Sequence, residues 1–78
     1  MRVHLGGHLA FYDVSKRSDV SIDLDNPLTL QELLQLLGVP IAEIAIAAIN
    51  GAAVEIDNAI VSDDDRLNLY PPVGGGLF

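Results

Sequence analysis

The chain has 78 residues, half of them apolar, enough for one small core and no second domain. It contains no cysteine, which excludes a disulfide framework, a thiolate zinc site and a cysteine nucleophile. The net charge of −7, eleven acids against Arg2, Lys16, Arg17 and Arg66, repels phosphate backbones and argues against a nucleic-acid partner.

Arg2 leads directly into a strand pattern, without the apolar stretch of a signal peptide. The longest apolar run, residues 44–49, is too short to cross a bilayer. A soluble, cytoplasmic protein is expected, with no membrane partner. Val3, Leu5, Leu9 and Phe11 fall on odd positions with Gly7 in phase, the period of a half-buried strand loosened at Gly6-Gly7. Residues 13–19 are polar and read as a turn. Val20, Ile22 and Leu24 alternate with Ser21 and Asp23 as a second strand, which completes a hairpin.

The stretch NPLTLQELLQLLGVP carries helix signals at both ends. Thr29 is the N-cap, Glu32 completes a capping box, and Leu28 and Leu33 are placed for a hydrophobic staple. Leu30, Leu33, Leu34 and Leu37 follow the i, i+3, i+4, i+7 spacing and mark one buried face. Gly38 supplies the stop and Pro40 prevents a restart.

IAIAAI, residues 44–49, is apolar on both faces, as in an interior strand. Asn50-Gly51 signals a type I′ hairpin, with Ala53, Val54 and Ile56 returning. Residues 57–66 read as a loop with an apolar patch, Ile60-Val61, and an acidic run, Asp63-Asp64-Asp65. Leu67 and Leu69 alternate with Asn68 and Tyr70 as the last strand. The class is α+β, one main helix over a mixed sheet of about five strands. If the first and last strands pair in the middle, it is a β-grasp. The expected core joins the four helix leucines to Val3, Leu5, Ile46 and Leu67.

The folded part, residues 1–70, shows no catalytic constellation. His4 and His8 share a face of the expected strand, but four residues separate them by roughly 13 Å, too far to share a metal. The acidic run lacks the alternation, glycine and terminal glutamate of a calcium loop and reads as a solvated turn that holds Arg66 or caps a strand. There is no nucleophile-elbow serine and no P-loop lysine.

Residues 71–78 form the second unit, an extended tail. Pro71 and Pro72 donate no backbone hydrogen bond, so they end the sheet and favour a stiff polyproline arm. Fully extended, residues 71–76 reach about 20 Å. Val73 offers a side chain to grip, and Gly74, Gly75 and Gly76 have no Cβ to obstruct a narrow tunnel. Residues 73–78 are expected to be poorly ordered in the isolated protein.

The segment DDDRLNLYPPVGGG is similar to the terminal segment of the ubiquitin-like sulfur carriers of the ThiS/MoaD family. The Pro-Pro-Val-Gly-Gly wording resembles the MoaD side, the small subunit of molybdopterin synthase. The centre, LTLQELLQLLGVPIAEIAIAAING, resembles the thiamin-pathway side. Asp64 stands where the family's Asp-Gly-Asp turn has glycine.

The resemblance implies a carrier and co-substrate without catalytic residues or a bound cofactor of its own. An E1-like adenylating enzyme would use ATP to activate the Gly76 carboxylate, and a sulfur donor would convert it to a thiocarboxylate. The acceptor would be a synthase like the molybdopterin synthase large subunit or like thiazole synthase. Tyr70, Pro71, Pro72, Val73, Gly74 and Gly75 would form the recognised tail. Leu77 and Phe78 lie beyond the family's terminal glycine, and a zinc metalloprotease of the JAMM type would remove them at Gly76. A ubiquitin-like modifier conjugated through Gly76 and a plain interaction module are the alternatives.

Overall fold

Two strands from opposite ends of the sequence meet at the centre of the sheet. In the computed structural model, which describes residues 1–72, β1 (Arg2–Leu5) runs parallel to β7 (Arg66–Tyr70). β2 (Asp19–Ser21) flanks β1; β4 (Ile46–Ile49) and then β5 (Ala52–Val54) flank β7. The order β2-β1-β7-β4-β5, with every other pairing antiparallel, is the expected β-grasp.

Period-two alternation assigns the faces. Val3, Leu5, Leu67 and Leu69 are fully buried, while Arg2, His4, Arg66, Asn68 and Tyr70 lie on the opposite face. Helix α1 (Leu30–Leu37) covers the inner face with Leu30, Leu33 and Leu34; Leu37 is only half-buried. Its capping box is formed as the sequence predicts. The Glu32 N–H donates to Thr29 Oγ1 at 3.1 Å, and the Thr29 N–H donates to Glu32 Oε1 at 3.0 Å. Gly38 ends the helix in the left-handed region at φ 74°.

The Asn50-Gly51 turn has φ of 52° and 87°, the two positive values that a type I′ turn requires. Asn50 also ties this hairpin to the start of β7: its Oδ1 accepts the Arg66 N–H at 2.9 Å and its Nδ2 donates to Asp65. Asp65 in turn accepts the Ser62 N–H at 2.8 Å. The acidic run therefore caps its turn, whereas Arg66 is held by Asn50. Asp64 has no positive φ, so this turn does not require the family's glycine.

The structure corrects several expectations, among them that Ile56 belongs to the returning strand, since β5 ends at Val54. The first strand does not continue to Phe11: the chain leaves the sheet after Leu5 and enters a 3-10 helix, Gly7–Tyr12. Gly7 at φ 51° is incompatible with an extended strand, and the Gly6 carbonyl accepts the Leu9 N–H at 3.0 Å. Leu9 still reaches the core, but Phe11 is 66% exposed. The second strand stops at Ser21, and the Leu24 N–H is diverted to the Asp63 carboxylate at 2.8 Å. Ile46 is 51% exposed because it pairs with Tyr70 on the outer face; Ala47, opposite Leu69, supplies the inward contact. Finally, Ile60–Val61 is no loop. As β6 it pairs with β3 (Leu28–Thr29) in a two-stranded sheet, which buries Val61.

Asp13 locks the turn after the 3-10 helix. It accepts the Arg17 side chain and the backbone N–H groups of Arg17 and Ser15. The Arg17 side-chain hydrogen bond, reinforced by the two backbone donors, lowers its pKa from 3.8 to about 2.

Leu33→Ala should destabilise the protein by about 2–5 kcal/mol in chemical denaturation, whereas Leu36→Ala, on the exposed side of the helix, should change little. Asp13 has a depressed folded pKa, so its contribution is present above 3.8 and is lost as pH falls to about 2. Asp13→Asn should flatten that acid limb of stability against pH, and an NMR titration of the wild-type carboxyl should place its midpoint near the lower value.

Candidate functional site: the root of the tail

β7 is hydrogen-bonded to a neighbour on each side up to the last residue before the prolines. The Leu69 carbonyl accepts the Gly6 N–H and the Tyr70 carbonyl accepts the Ala45 N–H, both at 2.8 Å. Beyond Tyr70 the ladder stops, because Pro71 and Pro72 carry no donor. The tail therefore begins at a fixed point in the middle of the sheet.

Tyr70 lies on the outer face. Its ring packs against His4 with centroids 5.9 Å apart and an interplanar angle of 54°, and its hydroxyl accepts from Asn68 Nδ2 at 3.1 Å. The other flank of the root is backbone alone. A Cβ on Gly6 would stand 2.7 Å from Tyr70 Cδ1, and one on Gly7 would stand 2.9 Å from Pro71 Cγ. Pro71 is half-buried and Pro72 exposed. Of the expected tail residues, the structure thus brings Tyr70, Pro71 and Pro72 together. Val73, Gly74, Gly75, Gly76, Leu77 and Phe78, and the expected disorder of residues 73–78, lie outside the described residues.

Gly6 and Gly7 were legible only as a loosening of the first strand. A glycine pair inside an alternating pattern also marks the close approach of another chain segment, and that was the available signal. The two histidines sit on different elements, each with its own carboxylate: His4 Nδ1 is 3.1 Å from Asp19 and His8 Nε2 is 2.8 Å from Glu43. Among the described residues no three metal-ligating side chains converge. Asp63 accepts the Leu24 N–H, which lowers its pKa first, and then the Met1 amino group at 3.2 Å, and so fastens the start of β1.

The outer face beside the root holds a shallow depression of about 340 Å³ lined by Arg2, His4, Asp19, Arg66, Asn68 and Tyr70. It is open and polar rather than an enclosed cavity. No helix among the described residues is long and apolar enough to cross a membrane.

The model of the ThiS family matches residues 10–76, so the match ends on Gly76. A search of curated proteins returns no match. The family match, the β-grasp topology and a proline-rich exit from the central strand agree, and the chain belongs to the ThiS family, the small ubiquitin-like sulfur carriers of cofactor biosynthesis.

Proposed function

We propose that the protein carries sulfur to a molybdopterin or tungstopterin synthase as a thiocarboxylate on Gly76, after Leu77 and Phe78 have been removed. The observation that carries this reading is the exit of Tyr70-Pro71-Pro72 from a fully paired central strand, directly ahead of Val73 and three glycines. A reactive end carried on such a root can be presented to a partner while the domain remains folded.

The chemistry needs two partner-catalysed steps. The Gly76 carboxylate attacks the α-phosphorus of ATP on an E1-like adenylating enzyme, and pyrophosphate leaves. Hydrosulfide then attacks the acyl carbon of the adenylate, the C–O bond to AMP breaks, and a proton is released. A free carboxylate is a poor acyl group, whereas AMP is a good leaving group. The product sulfur is nucleophilic and is not crowded by any Cβ on the residues before it. The carrier supplies reach and recognition, and neither step calls on its own side chains.

In the full-length chain the Gly76 carbonyl is tied up in an amide bond to Leu77, which no adenylating enzyme can activate. Cleavage at that bond, by a zinc metalloprotease of the JAMM type, frees the carboxylate. Phe78 gives such a protease a large apolar group to hold beside three glycines. The eight-residue helix and the Asn50-Gly51 hairpin favour a second reading, delivery to a thiazole synthase in the thiamin pathway.

Full-length and Gly76-terminated proteins should be incubated with the cognate adenylating enzyme, ATP and sulfide, then weighed. Only the shortened protein should gain the mass of one sulfur exchanged for one oxygen. A full-length chain thiocarboxylated with the dipeptide still attached overturns the processing step, and failure of both forms overturns the carrier reading. Presenting the thiocarboxylate to each class of synthase then assigns the pathway by which one consumes it.

A further inference from the structure

The geometry points to Gly6 and Gly7 as positioning residues for the tail: their side-chain-free backbone sets the direction in which Pro71-Pro72 leave the domain and so brings Gly76 into the adenylating site. This rests on the carrier reading above.

Gly6 has an ordinary backbone, φ −72°, which any residue could adopt. Space requires the glycine there, not conformation. An added Cβ would lie 2.7 Å from the Tyr70 ring and 2.9 Å from the Leu69 carbonyl oxygen. That oxygen cannot retreat without losing the 2.8 Å bond from the Gly6 N–H. At Gly7 both demands coincide, since φ is 51° and a Cβ would stand 2.9 Å from Pro71 Cγ. Gly38 and Gly51 provide the contrast: their φ values of 74° and 87° require glycine, yet nothing lies within 4 Å of an added Cβ. Among the four described glycines, only the pair beneath the tail is closed off by space.

What rests on this ledge is stiff. Tyr70 is held by the bond from Ala45 and by the His4 ring, and the φ of Pro71 and of Pro72 is fixed by their rings. A methyl group at position 6 or 7 must therefore lift the Tyr70–Pro71 segment as a unit and turn the direction of the arm. Where adenylation is slow relative to dissociation, KM reports docking of the domain on the adenylating enzyme and kcat reports how well the tail presents its carboxylate. A misdirected arm acts on the second.

The experiment compares Gly76-terminated wild type, Gly6→Ala, Gly7→Ala and Gly51→Ala. Pyrophosphate release by the cognate adenylating enzyme gives kcat and KM, and NMR of each isolated protein reads the Tyr70 ring and Pro71 signals. Gly51→Ala forces alanine to a positive φ without any clash and controls for that backbone strain; its melting temperature should fall, and that of Gly7→Ala, which adds the contact with Pro71, should fall at least as far. Only Gly6→Ala and Gly7→Ala should shift Tyr70 and Pro71 and lower kcat by about ten- to a hundredfold, with KM changed by less than about twofold. Should Gly7→Ala fail to fold, Gly6→Ala carries the comparison. Unmoved Tyr70 and Pro71 signals overturn the inference, as does a kcat matching that of Gly51→Ala. A wild type that is not adenylated strikes the carrier reading instead, and the NMR comparison still judges the ledge.

Discussion

The parallel pairing of β1 with β7 is the constraint on which the rest of the molecule depends. It joins segments more than sixty residues apart, Arg2 with Arg66 and Leu5 with Leu69, so it closes nearly the whole chain into one loop. The entropy lost in that closure is offset by four side chains, Val3, Leu5, Leu67 and Leu69, all buried beneath α1. Everything else is arranged around this pair. The β4–β5 hairpin and β2 extend the sheet outward, and the helix caps its inner face. Because β7 is central rather than an edge, its last two residues are anchored on opposite sides, Leu69 by Gly6 and Tyr70 by Ala45, and the tail starts from a strand paired along both edges.

Acidic residues reinforce this small core in a way that net charge alone does not suggest. Asp13, Glu32, Asp63 and Asp65 each accept backbone N–H groups at a turn or a helix start. A carboxylate is a strong acceptor for such donors, and a short domain has many chain ends and turns to satisfy. Part of the acidity is thus structural, spent on fixing loops.

The helix and the hairpin turn were legible residue by residue, since caps and left-handed positions demand particular side chains. Thr29, Glu32, Gly38, Asn50 and Gly51 all occupy the roles their types predict. Periodicity did less well where it was short or ambiguous. IAIAAI offers apolar residues to both faces, so it could not say that Ala47 points inward and Ile46 outward. The β3–β6 pair has two residues on each side, too few for any period. In the first segment, alternation continued by chance through a 3-10 helix, whose Leu9 reaches the same core from a different backbone. At the site, the two prolines could be read from the sequence as the end of the sheet, but the surface beneath them could not. Gly6 and Gly7 acquire meaning only when a strand sixty residues later is laid beside them.

The order of proline and glycine in the tail then has a physical reason. Rigidity at the root is inexpensive, because Tyr70 and Pro71 are already held by the sheet and the glycine ledge. Stiffness there shortens the length of chain that a partner must order, which lowers the entropy lost on binding. In the proposed carrier, narrowness matters at the other end, where a side chain would collide with the walls of the partner's active site; glycine is the residue that removes the Cβ. Reversing the order would place the conformational freedom at the root, where a small rotation sweeps the whole arm, and the bulk at the reacting carbon. On the proposed carrier reading, prolines first and glycines last let a folded domain aim an end group that a partner activates.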